Sequence, residues 1–158
     1  MKTIYLSLGS NLGRREQHLN AAIERLPAGD LRLLRVSPVY ETEPLDYRAQ
    51  PYFLNLVVEA ETTLFPMQLL ARVGRVERAL GRLRTVPKGP RIIDIDILFY
   101  AQSVVRTAQL EIPHPRLAER RFVLAPLADL NPELRHPVTR QTIREMLDRA
   151  PSQQIRRV

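Results

Sequence analysis

Gly89-Pro90-Arg91-Ile92-Ile93-Asp94-Ile95-Asp96-Ile97-Leu98-Phe99-Tyr100 is the stretch whose reading decides the fold. From Ile93 onward, β-branched and aromatic residues dominate and polarity alternates with period two, which predicts a β-strand. The alternation puts Ile93, Ile95, Ile97 and Phe99 on one face and Asp94, Asp96, Leu98 and Tyr100 on the other. Two carboxylates on one face of a strand, roughly 6 to 7 Å apart at the backbone, are costly to leave unpaired among apolar neighbours. They call for cations. A hard divalent ion such as Mg²⁺ takes carboxylate oxygens and keeps waters or phosphates in its other positions. Plain ion pairing to Arg82, Arg84 or Arg91 is the alternative. A cationic loop running into a carboxylate strand also suits a metal-bound polyphosphate.

The flanking elements follow from the same rules. Thr3 to Leu8 alternates as a strand, and Gly9-Ser10-Asn11-Leu12-Gly13 breaks it, with a Ser/Asn cap expected on the helix that follows from Arg14 to Leu26. The loop lacks the G-x-x-x-x-G-K-[ST] pattern of a Walker phosphate site. Leu31 to Tyr40 reads as a second strand, with Val36 and Val39 expected to face inward, and Glu41 to Pro51 as a long exposed loop. Tyr52 to Thr62 reads as a third strand antiparallel to the second, with Phe53, Asn55, Val57, Glu59 and Glu61 on one face. Pro66 to Leu80 is the clearest helix, with Leu69, Leu70, Val73, Val76 and Leu80 on one stripe; Glu77 on its flank reads as solvated. Arg82 to Pro90 is a candidate lid. A small hairpin over residues 104–112, the rigid Pro113-His114-Pro115, a helix from Arg121 to Leu130 and a last helix from Thr139 to Arg149, capped by Thr139, complete the chain. The order is β-α-β-β-α-β, which predicts an α+β ferredoxin-like sandwich: a mainly antiparallel sheet, helices packed on it and a C-terminal extension.

With 158 residues, 44% hydrophobic and 26% charged, the chain fits a single domain over 1–158 with a sizeable core. There is no cysteine, so disulfides, thiolate metal sites and a thiol nucleophile are excluded. The net charge of +7 invites nucleic acid, but of the 24 basic residues only Lys2 and Lys88 are lysine, and arginines scattered by coding bias do not make a binding face. The K/R-G-F/Y-G/A-F-V-x-F/Y pattern of an RNA-binding sheet is absent. A metal-dependent nuclease could use the same Asp pair, although Phe53, Asn55 and Phe122 favour a small flat substrate. No run approaches a membrane span. A cytoplasmic monomer acting on small molecules, without nucleic acid or membrane as partner, is expected.

The chain resembles the hydroxymethyl-dihydropterin pyrophosphokinase family. The resemblance runs through Leu8-Gly9-Ser10-Asn11-Leu12-Gly13, Tyr40-Glu41-Thr42-Glu43-Pro44-Leu45, Gln50-Pro51-Tyr52-Phe53-Leu54-Asn55, Glu77, Gly81-Arg82-Leu83-Arg84, Gly89-Pro90-Arg91 with Asp94-Ile95-Asp96-Ile97, Ile112-Pro113-His114-Pro115-Arg116 and Arg120-Arg121-Phe122. It implies transfer of a pyrophosphoryl group from ATP to a pterin alcohol in folate synthesis. It further implies that Asp94 and Asp96 hold two Mg²⁺ ions and that Arg82 and Arg91 act on the transferred group. Phe53 and Phe122 would enclose the pterin, and Thr42, Leu45 and Asn55 would line its edge. Glu77, Arg84, Ile97, His114 and Arg120 would contact the nucleotide. Pro87 stands where many members carry a basic residue, and Pro115 where some have Tyr.

Overall fold

The computed structural model describes residues 1–82 and 88–158. Arg84, and with it the middle of the expected lid, lies outside the described residues. The elements are β1 (Lys2–Ser10), α1 (Arg15–Arg25), β2 (Leu31–Val36), β3 (Tyr40–Thr42), β4 (Phe53–Thr62), α2 (Pro66–Ala79), β5 (Asp94–Tyr100), β6 (Val105–Arg106), β7 (Glu111–Ile112), α3 (Arg121–Leu130), α4 (Ile143–Arg149) and β8 (Ile155–Arg157). The main sheet runs β5-β1-β4-β3-β8, with β2 also on β4, and every pairing is antiparallel. This is the α+β ferredoxin-like arrangement.

Alternation gives each central strand two apolar faces. Ile4, Leu6 and Leu8 of β1, Leu56 and Val58 of β4, and Ile95 and Ile97 of β5 pack against Leu19 and Ala22 of α1 and Leu69, Val73 and Val76 of α2. On the opposite face, Tyr5, Val57, Leu98 and Phe99 pack against Val123, Leu124 and Leu127 of α3 and Ile143 and Met146 of α4. A sheet covered on both sides buries apolar surface from both sets of residues, the dominant source of stability.

Several expectations are corrected. In β5 the ladder shifts between Tyr5↔Phe99 and Leu6↔Ile97, so Leu98 is bulged out of register. One extra residue exchanges the faces beyond it. Phe99 therefore joins Leu98 under α3, and Tyr100 joins the isoleucines. The second strand is broken after Val36, because Pro38 has no N–H for the ladder. Ser37 bridges the gap: its N–H donates to Val57 O, and its Oγ accepts from Val57 N, both at 2.9 Å. Val36 is exposed, whereas Val39 packs on the core as expected. The supposed loop from Glu41 begins as strand, since β3 runs through a buried Thr42.

No side chain caps α1. Asn11 is used elsewhere: its Nδ2 donates to Gln50 Oε1 and Pro51 O, and its Oδ1 accepts from Arg91 N at 2.8 Å. The last helix starts at Ile143, because Arg140 has φ +65° and Thr142 forms a capping box with Glu145. Strand β8, unforeseen from its three residues, adds to β3.

Candidate active site

The second face of the sheet is covered by α3 and α4 over only part of its length. Beyond them, the register sets Asn55, Gly9 and Asp94 in one row across three strands and Val57, Ser7 and Asp96 in the next. Facing side chains in such rows stand roughly 5 Å apart. Gly9 makes a depression in the first row, since a Cβ there would come within 2.6 Å of Asn55 Oδ1. The Asn55 amide is fixed by donating to Thr42 Oγ1 at 2.6 Å.

A cleft opens over this floor. Thr42, Leu45, Phe53, Asn55 and Phe122 line it together with Arg91, Asp94, Asp96 and Arg120. Each aromatic ring comes with an arginine that also reaches a carboxylate. Arg91 lies 5.1 Å from the Phe53 ring centre and 3.6 Å from Asp94 Oδ2; Arg120 lies 5.6 Å from the Phe122 ring centre and 3.8 Å from Asp96 Oδ2. Arg82 Nη1 adds a contact of 3.1 Å to Asp94 Oδ1. The buried Nε atoms of Arg82 and Arg91 have no hydrogen-bond partner among the described residues. A buried donor without a partner is costly, and phosphate oxygens are suitable acceptors.

Electrostatics sharpen the picture. Burial, reinforced by the neighbouring Asp94 charge, pushes the Asp96 carboxyl well above its ordinary range, while Arg120 opposes the shift. A cation between the carboxylates would relieve that strain. Among the described residues no cluster of three or more Asp, Glu or His could hold a metal ion. Two carboxylates nonetheless suit Mg²⁺, which keeps several positions for water and substrate phosphates. The donor set fits an ion that arrives with its polyphosphate.

A second cavity lies on the far side of Asp96, lined among others by Leu70, Ile97, Leu110 and His114. Burial, then the charge of Arg120, lowers the His114 pKa to about 4, so its imidazole is neutral near pH 7. Its Nδ1 accepts from Arg116 N at 3.2 Å, which leaves Nε2 to carry the proton. Asp96 is common to both cavities.

Glu77 lines neither cavity. Contrary to the solvated position expected on the α2 flank, its Oε2 accepts from Ile95 N at 2.8 Å and from Arg82 Nη1 at 2.5 Å. It thereby ties the start of β5 and Arg82 to α2. Arg120 lies in the first cavity, not the second. Sequence reasoning gave no site role to Ser7, Gly9, Glu43, Pro44, Asp46, Gln50 and Lys88, which also line the first. The alternation of β1 pointed to Ser7 and Gly9, since Tyr5, Ser7 and Gly9 fall opposite Ile4, Leu6 and Leu8. Nothing local marked Asp46, which is held by Arg116 at 3.1 Å across the chain.

Residues 5–132 match the family described as 7,8-dihydro-6-hydroxymethylpterin-pyrophosphokinase (HPPK). The 2-amino-4-hydroxy-6-hydroxymethyldihydropteridine pyrophosphokinase of Aquifex aeolicus is 42% identical over 145 residues, covering 92% of this chain and 90% of that protein. The enzyme of the same name from Pseudomonas aeruginosa is 39% identical over 161 residues, covering 100% and 98%. The folic acid synthesis protein fol1 of Schizosaccharomyces pombe is 47% identical over 156 residues, and the chain spans only 21% of its length. Among solved structures, Plasmodium falciparum HPPK-DHPS with pteroate superposes with a TM-score of 0.76 at 19% identity, over 94% of this chain and 42% of that one, a likeness of fold. The chain belongs to the 7,8-dihydro-6-hydroxymethylpterin-pyrophosphokinase family.

Proposed function

We propose that the protein transfers the pyrophosphoryl group of ATP to the hydroxymethyl oxygen of 6-hydroxymethyl-7,8-dihydropterin, giving AMP and the pterin diphosphate, with Mg²⁺ required. The observation that carries this reading is the meeting of two cavities at Asp96, one walled by rings and an amide, the other by aliphatic residues and a neutral histidine. A planar bicyclic ring suits the first: Phe53 and Phe122 offer faces, Asn55 and Thr42 an edge, and Leu45 an apolar rim. The nucleotide base belongs in the second, against Ile97 and His114, and places the triphosphate at the Asp96 junction. We assign Glu77 the indirect role of holding Arg82.

Asp94 and Asp96 would hold two Mg²⁺ ions, which when bound would neutralise the phosphates and orient the chain of phosphorus atoms. The pterin hydroxyl oxygen forms a bond to the β-phosphorus and gives up its proton to water, and the bond from that phosphorus to the oxygen bridging the α-phosphate breaks, leaving AMP. Such transfer needs positioning and neutralised charge more than a nucleophilic side chain. Arg82, Arg91 and Arg120, which gather at Asp94 and Asp96, would provide both, with donors available to oxygens on which negative charge gathers. ATP and the pterin are the partners in this reading, and we place the monomeric enzyme in the cytoplasm.

Product analysis tests it. Incubation with Mg²⁺, ATP and the pterin alcohol should yield AMP and pterin diphosphate in equal amounts, and none without metal. ADP as the main nucleotide product would overturn the assignment.

A further inference from the structure

The family match ends at residue 132, yet the last residues of the chain reach the cleft walls. Helix α3 opens at the cleft without a cap from its own sequence, because the Arg120 side chain makes no such bond. The first N–H groups of a helix have no partner within it. Those of Val123 and Leu124 donate to Arg120 O, both at 3.0 Å. The N–H of Phe122 is satisfied from outside, by Gln153 Oε1 at 3.1 Å. The other end of the same amide, Nε2, donates to Glu43 O at 2.7 Å. Glu43 N in turn donates to Gln154 O at 3.0 Å, so both backbone groups of Glu43 are held by the tail.

Glu43 and Phe122 line the same cleft but come from different elements, the segment after β3 and the first turn of α3. Next to Glu43, Thr42 receives the Asn55 amide that forms the cleft floor. A single amide thus joins the ring wall to the polar edge. No other side chain of that length offers one acceptor and one donor in a fixed plane: glutamate only accepts, and lysine only donates.

We infer that Gln153 is a positioning residue for the pterin site, setting the place of the Phe122 ring relative to the Thr42–Glu43 edge. This rests on the proposed function. The Gln153 side chain bonds to Phe122 N and Glu43 O and does not line the second cavity, so its effect is confined to one substrate.

The test is steady-state kinetics of the full chain with MgATP and the pterin alcohol, for wild type, Gln153→Met, Gln153→Glu and Arg156→Ala, each checked for folding by thermal melting. Gln153→Met keeps the bulk and removes both hydrogen bonds. It should raise the pterin KM about tenfold and leave the ATP KM within about twofold. Gln153→Glu keeps the acceptor for Phe122 and loses the donor for Glu43; it should also raise the pterin KM, and it is decisive if Gln153→Met does not fold. Arg156→Ala removes a tail ion pair to Glu41 away from the cleft and should leave the pterin KM unchanged. The inference falls if folded Gln153 variants keep a wild-type pterin KM, if the ATP KM rises equally, or if Arg156→Ala has the same effect. Wild-type protein that makes no AMP would overturn the proposed function and this inference with it.

Discussion

The two faces of the one sheet are made from alternate residues of the same strands and end up unlike. Under α1 and α2 the face is aliphatic along its whole length, with Leu6, Leu8, Leu56, Val58, Ile95 and Ile97 closed off from solvent. Under α3 and α4 it is apolar only at Tyr5, Val57, Leu98 and Phe99; past the helices it turns to Ser7, Gly9, Asn55, Asp94 and Asp96. The comparison teaches that a sheet can carry its stability on one face and, in the proposed reading, its chemistry on the other. The polar cleft lies where the covering layer stops, because an uncovered carboxylate row is tolerated only where solvent, arginines or a ligand can meet it.

Breaking the polar half should leave the fold and destroy turnover. Arg82→Ala or Arg91→Ala is expected to slow a single turnover by roughly two to four orders of magnitude, the scale of a lost charge-stabilising donor. Asp94→Ala and Asp96→Ala should do at least as much, with thermal midpoints little changed. Rapid-quench kinetics beside thermal melts check this; an unchanged chemical step with weaker ATP binding would make the arginines ground-state anchors.

The aliphatic face should respond in the opposite way. Leu6→Ala leaves a void in a fully buried position and should lower unfolding free energy by about 2 to 5 kcal/mol, with activity per folded molecule retained. Urea denaturation and active-site titration separate the two effects. A stable but inactive variant would contradict the division of labour.

His114 lies at the border and should couple the faces to pH. Its folded pKa is lowered to about 4 by burial and by Arg120, against an ordinary 6.5. At this residue the unfolded chain therefore binds more protons in that window, so the His114 contribution to stability is full above about pH 6.5, falls toward pH 4, and is flat below. The shift corresponds to roughly 3 kcal/mol. Asp96, raised to about 7 by burial and the Asp94 charge, contributes with the opposite sign over the same range in both proteins. The difference in urea midpoint between wild type and His114→Gln, not the wild-type profile alone, should therefore carry this slope.

The smallest effect is expected at the rings. Phe53→Ala and Phe122→Ala should each weaken pterin binding by about 1 to 3 kcal/mol and leave nucleotide affinity nearly unchanged. Calorimetry with each substrate alone decides it, and a loss confined to ATP would exchange the two cavities.

Much of this was legible along the chain. Period-two alternation marked β1, β4 and β5, and an apolar stripe marked α2. The four-residue box from Thr142 to Glu145 was also present in the sequence, but a nearer threonine at 139 obscured it. The Leu98 bulge was not legible, since both faces of β5 are apolar there and alternation carries no information when either side can be buried. Glu77 was misread for a related reason: a carboxylate at a helix end is ordinarily solvated, and only the arrival of Ile95 N and Arg82 makes it a buried acceptor.

What the sequence by itself determined is local: Asp94 and Asp96 share a side because a strand repeats every two residues, Gly9 leaves its hollow because it has no side chain, and the β-α-β-β-α-β order sets which strands are central. Only the tertiary structure decided that Arg91 pairs with Phe53 and Asp94 while Arg120 pairs with Phe122 and Asp96, that Asp96 joins two cavities, and that Gln153 spans two walls of one of them. Those relations bring together side chains tens of residues apart. They are selected by the burial and hydrogen bonding of the whole sheet and its helices, of which no short window of sequence holds more than a fragment.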